Sequence, residues 1–472
     1  MSLRSANPRT SSSEAFRPRT LNDLPYDLIR ILCLLLDGKD IVSVLSTCKA
    51  LQTHIRDESI WREVCARYGL ESPEIFGTKS YFRIYSCVLH TFGALLGLWA
   101  SDLPYLGSII EFRFDAEYQG IVGEIWKFTR HNILVMDMSV WRDPSLPHYS
   151  VVLSITLPSQ STEAPRAQIN WHDAPNFERE GRGGLPPAQE LLHVLDETNE
   201  SLYFYHDHHP SRSLIPDFPA LNASWYDGER GMPRLRPKAS PRSRALLRED
   251  AYMCMARTEH VKPRALVMYN PNLGSHHLGP HDPLRQHDMR IAIPDLRNEG
   301  LAPESRNTIP FTRRFYPMRS VQHAGQDPAD EKWQPESLEG LWLGAYGPHG
   351  TEVLWVGYDA ENKVVHASKI TGDLNVPRGA PSWSFSIENR VRREEMPSSS
   401  IASFETDHVV RFYSGVGTIC TPGFTENERG ESENYVGIIG PNDIRINWRN
   451  IGIDHCPRYT RYLSRSITSE TN

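Results

Sequence analysis

The feature that most constrains this chain is one early helix with apolar residues on two of its faces. Leu28, Ile31, Leu32 and Leu35 recur at i, i+3, i+4 and i+7, the stripe of a buried helix face. Ile29, Cys33 and Leu36 make a second stripe on an adjoining face. Only short helical pieces follow. Asp40 is expected to cap one carrying Ile41, Val44 and Leu45, and Thr47 to open one carrying Cys48, Leu51 and Ile55. Asp57 is expected to start a fourth with Trp61, Val64, Cys65 and Tyr68, ended by Gly69. A unit of about fifty residues has little interior, so it cannot hide all of this apolar surface itself. The remainder is covered either by the rest of the chain or by another protein's helices. Periodicity leaves both open.

From about residue 90 the texture changes. Short runs rich in Val, Ile, Tyr and Trp at 132–141, 149–157, 264–269, 351–358, 363–370, 408–413 and 443–448 are punctuated by Gly, Pro and Asn. That pattern predicts an antiparallel barrel or sandwich. The stretch 351–370 predicts a hairpin turning at Asp359–Asn362. Its first strand is apolar on both faces, which places it inside a closed or stacked sheet. Polar stretches at 158–184, 226–248, 294–305, 324–336, 388–400 and 425–433 read as loops. The fold class is therefore α+β: a disordered tail over 1–20, a helical unit over 21–70, and a β-rich, barrel-like domain with long loops over 71–465.

Composition narrows the function. The 51 Lys and Arg against 58 Asp and Glu leave a net charge of −7, which argues against nucleic acid as the main partner. No run approaches the 18 or so apolar residues of a membrane span. The first twenty residues lack the apolar core of a secretory signal. The seven scattered cysteines contain no Cys-x-x-Cys pair, as expected of thiols in the cytoplasm or nucleus. His206, His208 and His209, with His276, His277 and His281, could gather a zinc ion, but they come without His-Glu-x-x-His and lie in loop-like stretches. The glycine-rich run Gly344 to Gly350 lacks Gly-Lys-[Ser/Thr] and reads as a tight turn or a nest for a peptide terminus. No catalytic residue, metal or cofactor is expected.

Two resemblances sharpen this reading. Leu24-Pro25, Leu28-Ile29, Ile31-Leu32, Asp40, Leu45, Thr47-Cys48-Lys49, Leu51, Ile55, Asp57-Glu58 and Trp61-Arg62 together resemble the F-box motif. The resemblance implies docking on the Skp-type adaptor of a cullin-based ubiquitin ligase, with Leu24, Pro25, Leu28, Ile31, Leu32, Leu45 and Trp61 contributing an adaptor-facing surface. Further on, Gly344-x-Tyr346-Gly-x-His349-Gly-x-Glu352 and Lys369-Ile-Thr371-Gly-Asp373-x-Asn375-x-Pro377 resemble the substrate-binding domain of the F-box only protein 31 family and its fungal relatives.

This second resemblance implies capture of client proteins, often by their C-terminal tails, in a cavity of the β domain. Gly344, Tyr346, His349, Thr371, Asp373 and Asn375 are the expected wall. Asp373 has two readings: it caps its own loop as an Asx-turn, or it faces the client and favours a neutral or amide-bearing tail. The expected function is client recognition for a Skp–cullin–F-box ubiquitin ligase. The alternatives are an adaptor-bound scaffold without client turnover and a metal-dependent enzyme built on the His-rich loops.

Overall fold

The computed structural model describes residues 21–101, 107–128, 143–157, 167–172, 266–269, 290–292, 314–318, 325–347, 350–373, 375–404, 408–420, 429–449, 456–463 and 465. The expected tail over 1–20, the strand over 132–141 and the His-rich stretches lie outside these residues.

Four helices open the chain: α1 (Tyr26–Leu34), α2 (Gly38–Leu45), α3 (Lys49–Gln52) and α4 (Glu58–Ala66). Pro25 precedes α1 at the N-cap, where the missing N–H costs nothing. Asp57 caps α4 as expected, accepting from the Ser59 N–H at 2.9 Å. Two expected starts shift. Asp37, not Asp40, is the N-cap of α2, and Asp40 lies in the first turn, where a carboxylate favours the positive helix end. Cys48, not Thr47, precedes α3, because the Thr47 hydroxyl is donated back to the Val44 carbonyl at 2.7 Å. Gly69 follows α4 with φ at +80°, a conformation only glycine adopts without strain.

A further helical stretch, Tyr81–Ile84 running through Tyr85–Leu89 to His90–Phe92, leads into the sheets. The first sheet holds β1 (Gly97–Ser101), β2 (Ile109–Asp115), β3 (Gly120–Lys127), β4 (His148–Thr156), β5 (Gln168–Trp171), β6 (Leu266–Tyr269), β7 (Arg290–Ala292) and β8 (Arg314–Pro317). Their spatial order is β5-β4-β3-β2-β1-β8-β6-β7. The second is a closed antiparallel barrel of β9 (Gly340–Ala345), β10 (Thr351–Asp359), β11 (Val364–Lys369), β12 (Pro381–Val391), β13 (Arg411–Ile419), β14 (Gly430–Gly440), β15 (Asp443–Trp448) and β16 (Arg458–Arg461). β16 pairs back on β9 and closes the ring.

Strand alternation explains the stacking. Ile110, Phe112 and Phe114 of β2 join the helices in one core with Trp61, Val64 and Tyr85. Ile109 faces the other way and packs with Trp126 against Leu341, Leu343, Val353 and Trp355 of the barrel. The same two barrel strands send Trp342, Leu354 and Val356 inward. That is why the strand over 351–358 is apolar on both faces: one lines the barrel and the other meets the sheet.

The hairpin over 351–370 forms as expected, with Asp359 accepting from the Glu361 and Asn362 N–H groups at its turn. Several expected loops carry structure. β5 falls within 158–184, β12 runs on to Val391 and a helix spans Ser398–Ser403, and β14 begins at Gly430. Partner strands, rather than local apolar content, hold the three strand segments among these extended. Among the described residues no helix is long and apolar enough to cross a membrane.

Candidate functional site

Two surfaces present unusual chemistry, one on the helices and one at an end of the barrel. On α1 the two apolar stripes separate cleanly. Ile29 and Cys33 are buried, whereas Leu28, Ile31, Leu32 and Leu35 are 46%, 51%, 41% and 78% exposed. Spacing of three and four residues makes the exposed four one continuous row. Pro25 is exposed at its start, and Leu24 is partly buried against the core. Leu45 and Trp61 correct the expectation for the adaptor face, because both are fully buried. Trp61 donates to the Ile55 carbonyl at 2.7 Å and stacks on Tyr85 at 4.9 Å, so it fixes the unit instead of facing outward. Tyr85 in turn lies so close to Gly38 that a β-carbon there would sit 2.3 Å from its hydroxyl.

Hydrogen bonds aim the row. The Tyr26 hydroxyl donates to Asp57 at 2.5 Å, tying the start of α1 to the start of α4. Burial raises the Asp57 carboxyl pKa, but hydrogen bonds from Tyr26 and Ser59 outweigh it and hold it below the ordinary value.

The second surface follows from barrel register. Gly344 pairs with Glu352 and with Tyr459, Leu354 with Lys369, Ala367 with Trp383, Trp383 with Gly417, and Asn434 with Trp448. These pairings bring the residues to one end of the barrel, beneath the 346–350 turn and the 370–380 loop. The other end is filled by Trp333 and Leu338, which share the core of Val436, Ile438 and Ile444.

The first end is polar inside. The Lys369 ammonium lies 3.2 Å from Glu352, 3.6 Å from Asp373 and 3.7 Å from the centre of the Tyr346 ring. The Tyr459 hydroxyl donates to Glu352 at 2.9 Å. Burial pushes the Glu352 carboxyl up against the pull of Lys369. Burial also disfavours the Lys369 charge, yet Asp373, Tyr346 and Glu352 outweigh it and hold the pKa above the ordinary lysine value. The Tyr346 phenol is pushed up to about 12, chiefly by burial. Deeper in, Asn434 is fully buried, and neither its amide oxygen nor its nitrogen hydrogen-bonds to another described group. The same holds for the Trp383 indole N–H. Such atoms are rare in a closed interior.

The expected wall residues gather at this end. Gly344 carries no side chain where a β-carbon would meet the Tyr459 ring at 2.1 Å. Gly347 and Gly350 make a tight turn at φ +53° and +88°, with Tyr346 donating to the Gly350 carbonyl at 2.7 Å. Thr371 accepts from the Val353 N–H at 3.1 Å, and Asn375 donates to the Cys420 carbonyl at 2.8 Å. Asp373 accepts from the N–H groups of Asn375 and Val376 at 2.7 and 2.8 Å, the Asx-turn reading, while its other oxygen points to Lys369. His349 lies outside the described residues.

Sequence reasoning passed over Glu352 and Lys369 as wall residues, though a signal was present. Each continues the inward positions of its strand, after Leu354 and Val356 or Val365 and Ala367. Trp383, Asn434 and Tyr459 come from strands far along the chain and carried no local mark.

Comparison with known proteins gives two family matches. Residues 21–67 match the F-box-like family model, and residues 316–436 match that of the cyclin D1 binding domain. The second match starts in β8 and ends in β14, so β15 and β16, which close the barrel, lie beyond it. The chain thus carries an F-box-like domain followed by a closed eight-stranded antiparallel barrel.

It is similar to F-box only protein 31 proteins. The 31-A protein of Xenopus laevis is 20% identical over 77% of this chain and 54% of its own length. The 31-B protein of Xenopus laevis is 27% identical over 21% of this chain and 20% of its own length. F-box only protein 31 of Homo sapiens is 30% identical over 20% of this chain and 19% of its own length. Even where the match is longest, the chain spans little more than half of these relatives.

Proposed function

We propose that this chain is the substrate-recognition subunit of a Skp–cullin–F-box ubiquitin ligase, with no catalytic chemistry of its own. One observation carries this reading: Leu28, Ile31, Leu32 and Leu35 stay exposed although the helices behind them already share a filled core with the first sheet. A Skp-type adaptor's helices would cover that row, and the adaptor would join the chain to a cullin in the cytoplasm or nucleus. The barrel end would hold a client protein, a role that the cyclin D1 binding domain match supports. Holding the client there keeps its lysines at high effective concentration near the ubiquitin-charged enzyme.

The client segment is a C-terminal tail that enters the polar end. One ammonium stands there among two carboxylates, Glu352 and Asp373. A third carboxylate about 4 Å away would meet repulsion of about 4 kcal/mol at an effective dielectric of 20. A tail ending in carboxamide, or otherwise uncharged, avoids that cost.

The adaptor role is tested by co-purifying adaptor and cullin with the intact chain and with Leu28→Asp/Ile31→Asp. Loss of both proteins from a variant that melts normally is expected, and their retention would sink the reading. Clients that stay short-lived in cells carrying only this variant would instead favour a scaffold. The tail preference is tested by titrating matched peptides ending in carboxylate or carboxamide, and equal affinities would remove it.

A further inference from the structure

Glu111 of β2 and Glu124 of β3 stand directly opposite each other, and both are nearly sealed from water. Like charges in that relation repel, and buried carboxylates need partners. Arg113 supplies one, reaching Glu124 at 3.0 and 2.9 Å, and it also pairs with Asp115 at 2.8 Å. The other partner comes from the segment after the barrel's last strand. Arg465 Nη2 lies 2.7 Å from Glu111 and also donates to Glu124, so a single nitrogen bridges the two carboxylates. The guanidinium carbon sits 3.4 Å from the centre of the Tyr149 ring. The Tyr462 hydroxyl donates to Glu111 at 3.2 Å, and its ring lies 4.5 Å from that of Trp126.

We propose that the barrel-facing side of the sheet contains a guanidinium-binding site formed by Glu111, Glu124 and Tyr149, which the chain fills with its own Arg465. The site is distinct from the exposed row on α1 and from the polar barrel end. A guanidinium suits it because its flat face can lie on the tyrosine ring while its edge bridges two carboxylates, a combination that a compact ammonium does not offer. Filling the site latches the closure of the barrel. β16 is only four residues long, and the Tyr462 N–H that follows it donates to the Leu341 carbonyl of β9 at 2.8 Å. Arg465 holds that junction against the sheet, and through the sheet against the helices.

The test is hydrogen exchange at the Tyr462 amide in the full chain. Arg465→Ala removes the two charge-assisted hydrogen bonds that this nitrogen donates and should speed exchange there by about tenfold or more. Low-millimolar guanidinium chloride should restore most of the protection, whereas sodium chloride at equal ionic strength should not. Unchanged exchange in Arg465→Ala, or equal rescue by both salts, would overturn the proposal. Arg465→Gln/Glu124→Gln removes one cation and one carboxylate together and so guards against misfolding. It should show the same loss of protection with a weaker guanidinium response, and an undiminished response would rule out a two-carboxylate site.

Discussion

Arg67, just past the end of α4, donates to the carbonyl oxygen of Leu36 at 2.9 Å and so closes the far end of α1. A second donation reaches Leu34 at 2.5 Å. These carbonyls have no partners within the helix, and a cation there also suits the helix dipole. Arg67→Ala should cost about 1 kcal/mol of stability and loosen the end of the row that carries Leu35. Adaptor titration should show severalfold weaker binding, although no row residue has changed. Unaltered binding would mean that α1 holds its place without this tie.

The exposed row and the buried anchors should respond in opposite ways. Leu28→Asp or Ile31→Asp should change stability by less than about 0.5 kcal/mol, as surface substitutions do, while adaptor binding is lost. Trp61→Ala should cost about 3–5 kcal/mol and Leu45→Ala about 2–5 kcal/mol by opening the core. Denaturant unfolding of each variant beside an adaptor pull-down separates the two classes.

At the barrel end, Lys369→Met strands the Glu352 carboxylate in a buried site and should destabilise the protein by about 3–5 kcal/mol. Adding Glu352→Gln should recover part of that loss, because the uncompensated charge goes with it. A double-mutant cycle in urea measures the coupling. Strictly additive effects would show that the pair does not act as a unit.

Acid should weaken the fold before the ordinary carboxylates titrate. Burial lowers the pKa of His90, with help from nearby Lys39, and burial also lowers that of His366. The unfolded chain therefore takes up these protons first, at a histidine pKa of about 6.5. Stability is complete above that value and falls as pH drops through the lower folded values. Urea midpoints at pH 7.5 and 5.5 should differ in this direction, and His90→Gln/His366→Gln should shrink the difference.

Local pattern carried the helices, the 351–370 hairpin and the barrel class: the helices through a repeat of 3.6, the strands through short Val-, Ile-, Tyr- and Trp-rich runs bounded by turn residues. It could not choose between the stripes of α1. Ile29 and Cys33 go inside, and Leu28 and Ile31 outside, because α4 and the Tyr81–Phe92 stretch pack on one side only. Trp61 shows the same limit, since a partner-facing aromatic and a core aromatic look alike along one helix. β2 and β3 were passed over, although Ile110, Phe112 and Phe114 alternate with Glu111, Arg113 and Asp115 at the period of a strand; in β3, Glu124 interrupts the apolar run. Those charges make sense only beside Arg465, some 340 residues away along the chain. At the polar barrel end the 346–350 and 370–380 turns were legible from their glycines and Asp373, while the floor beneath them is assembled from Glu352, Lys369, Trp383, Asn434 and Tyr459 on five different strands.

The bond from β16 back to β9 has one more implication. A complete ring of strands offers no bare backbone rim onto which a visiting peptide could zip as an extra strand. A guest of the barrel would instead have to come end-on, and the side chains at that end and their few charges would tell one guest from another.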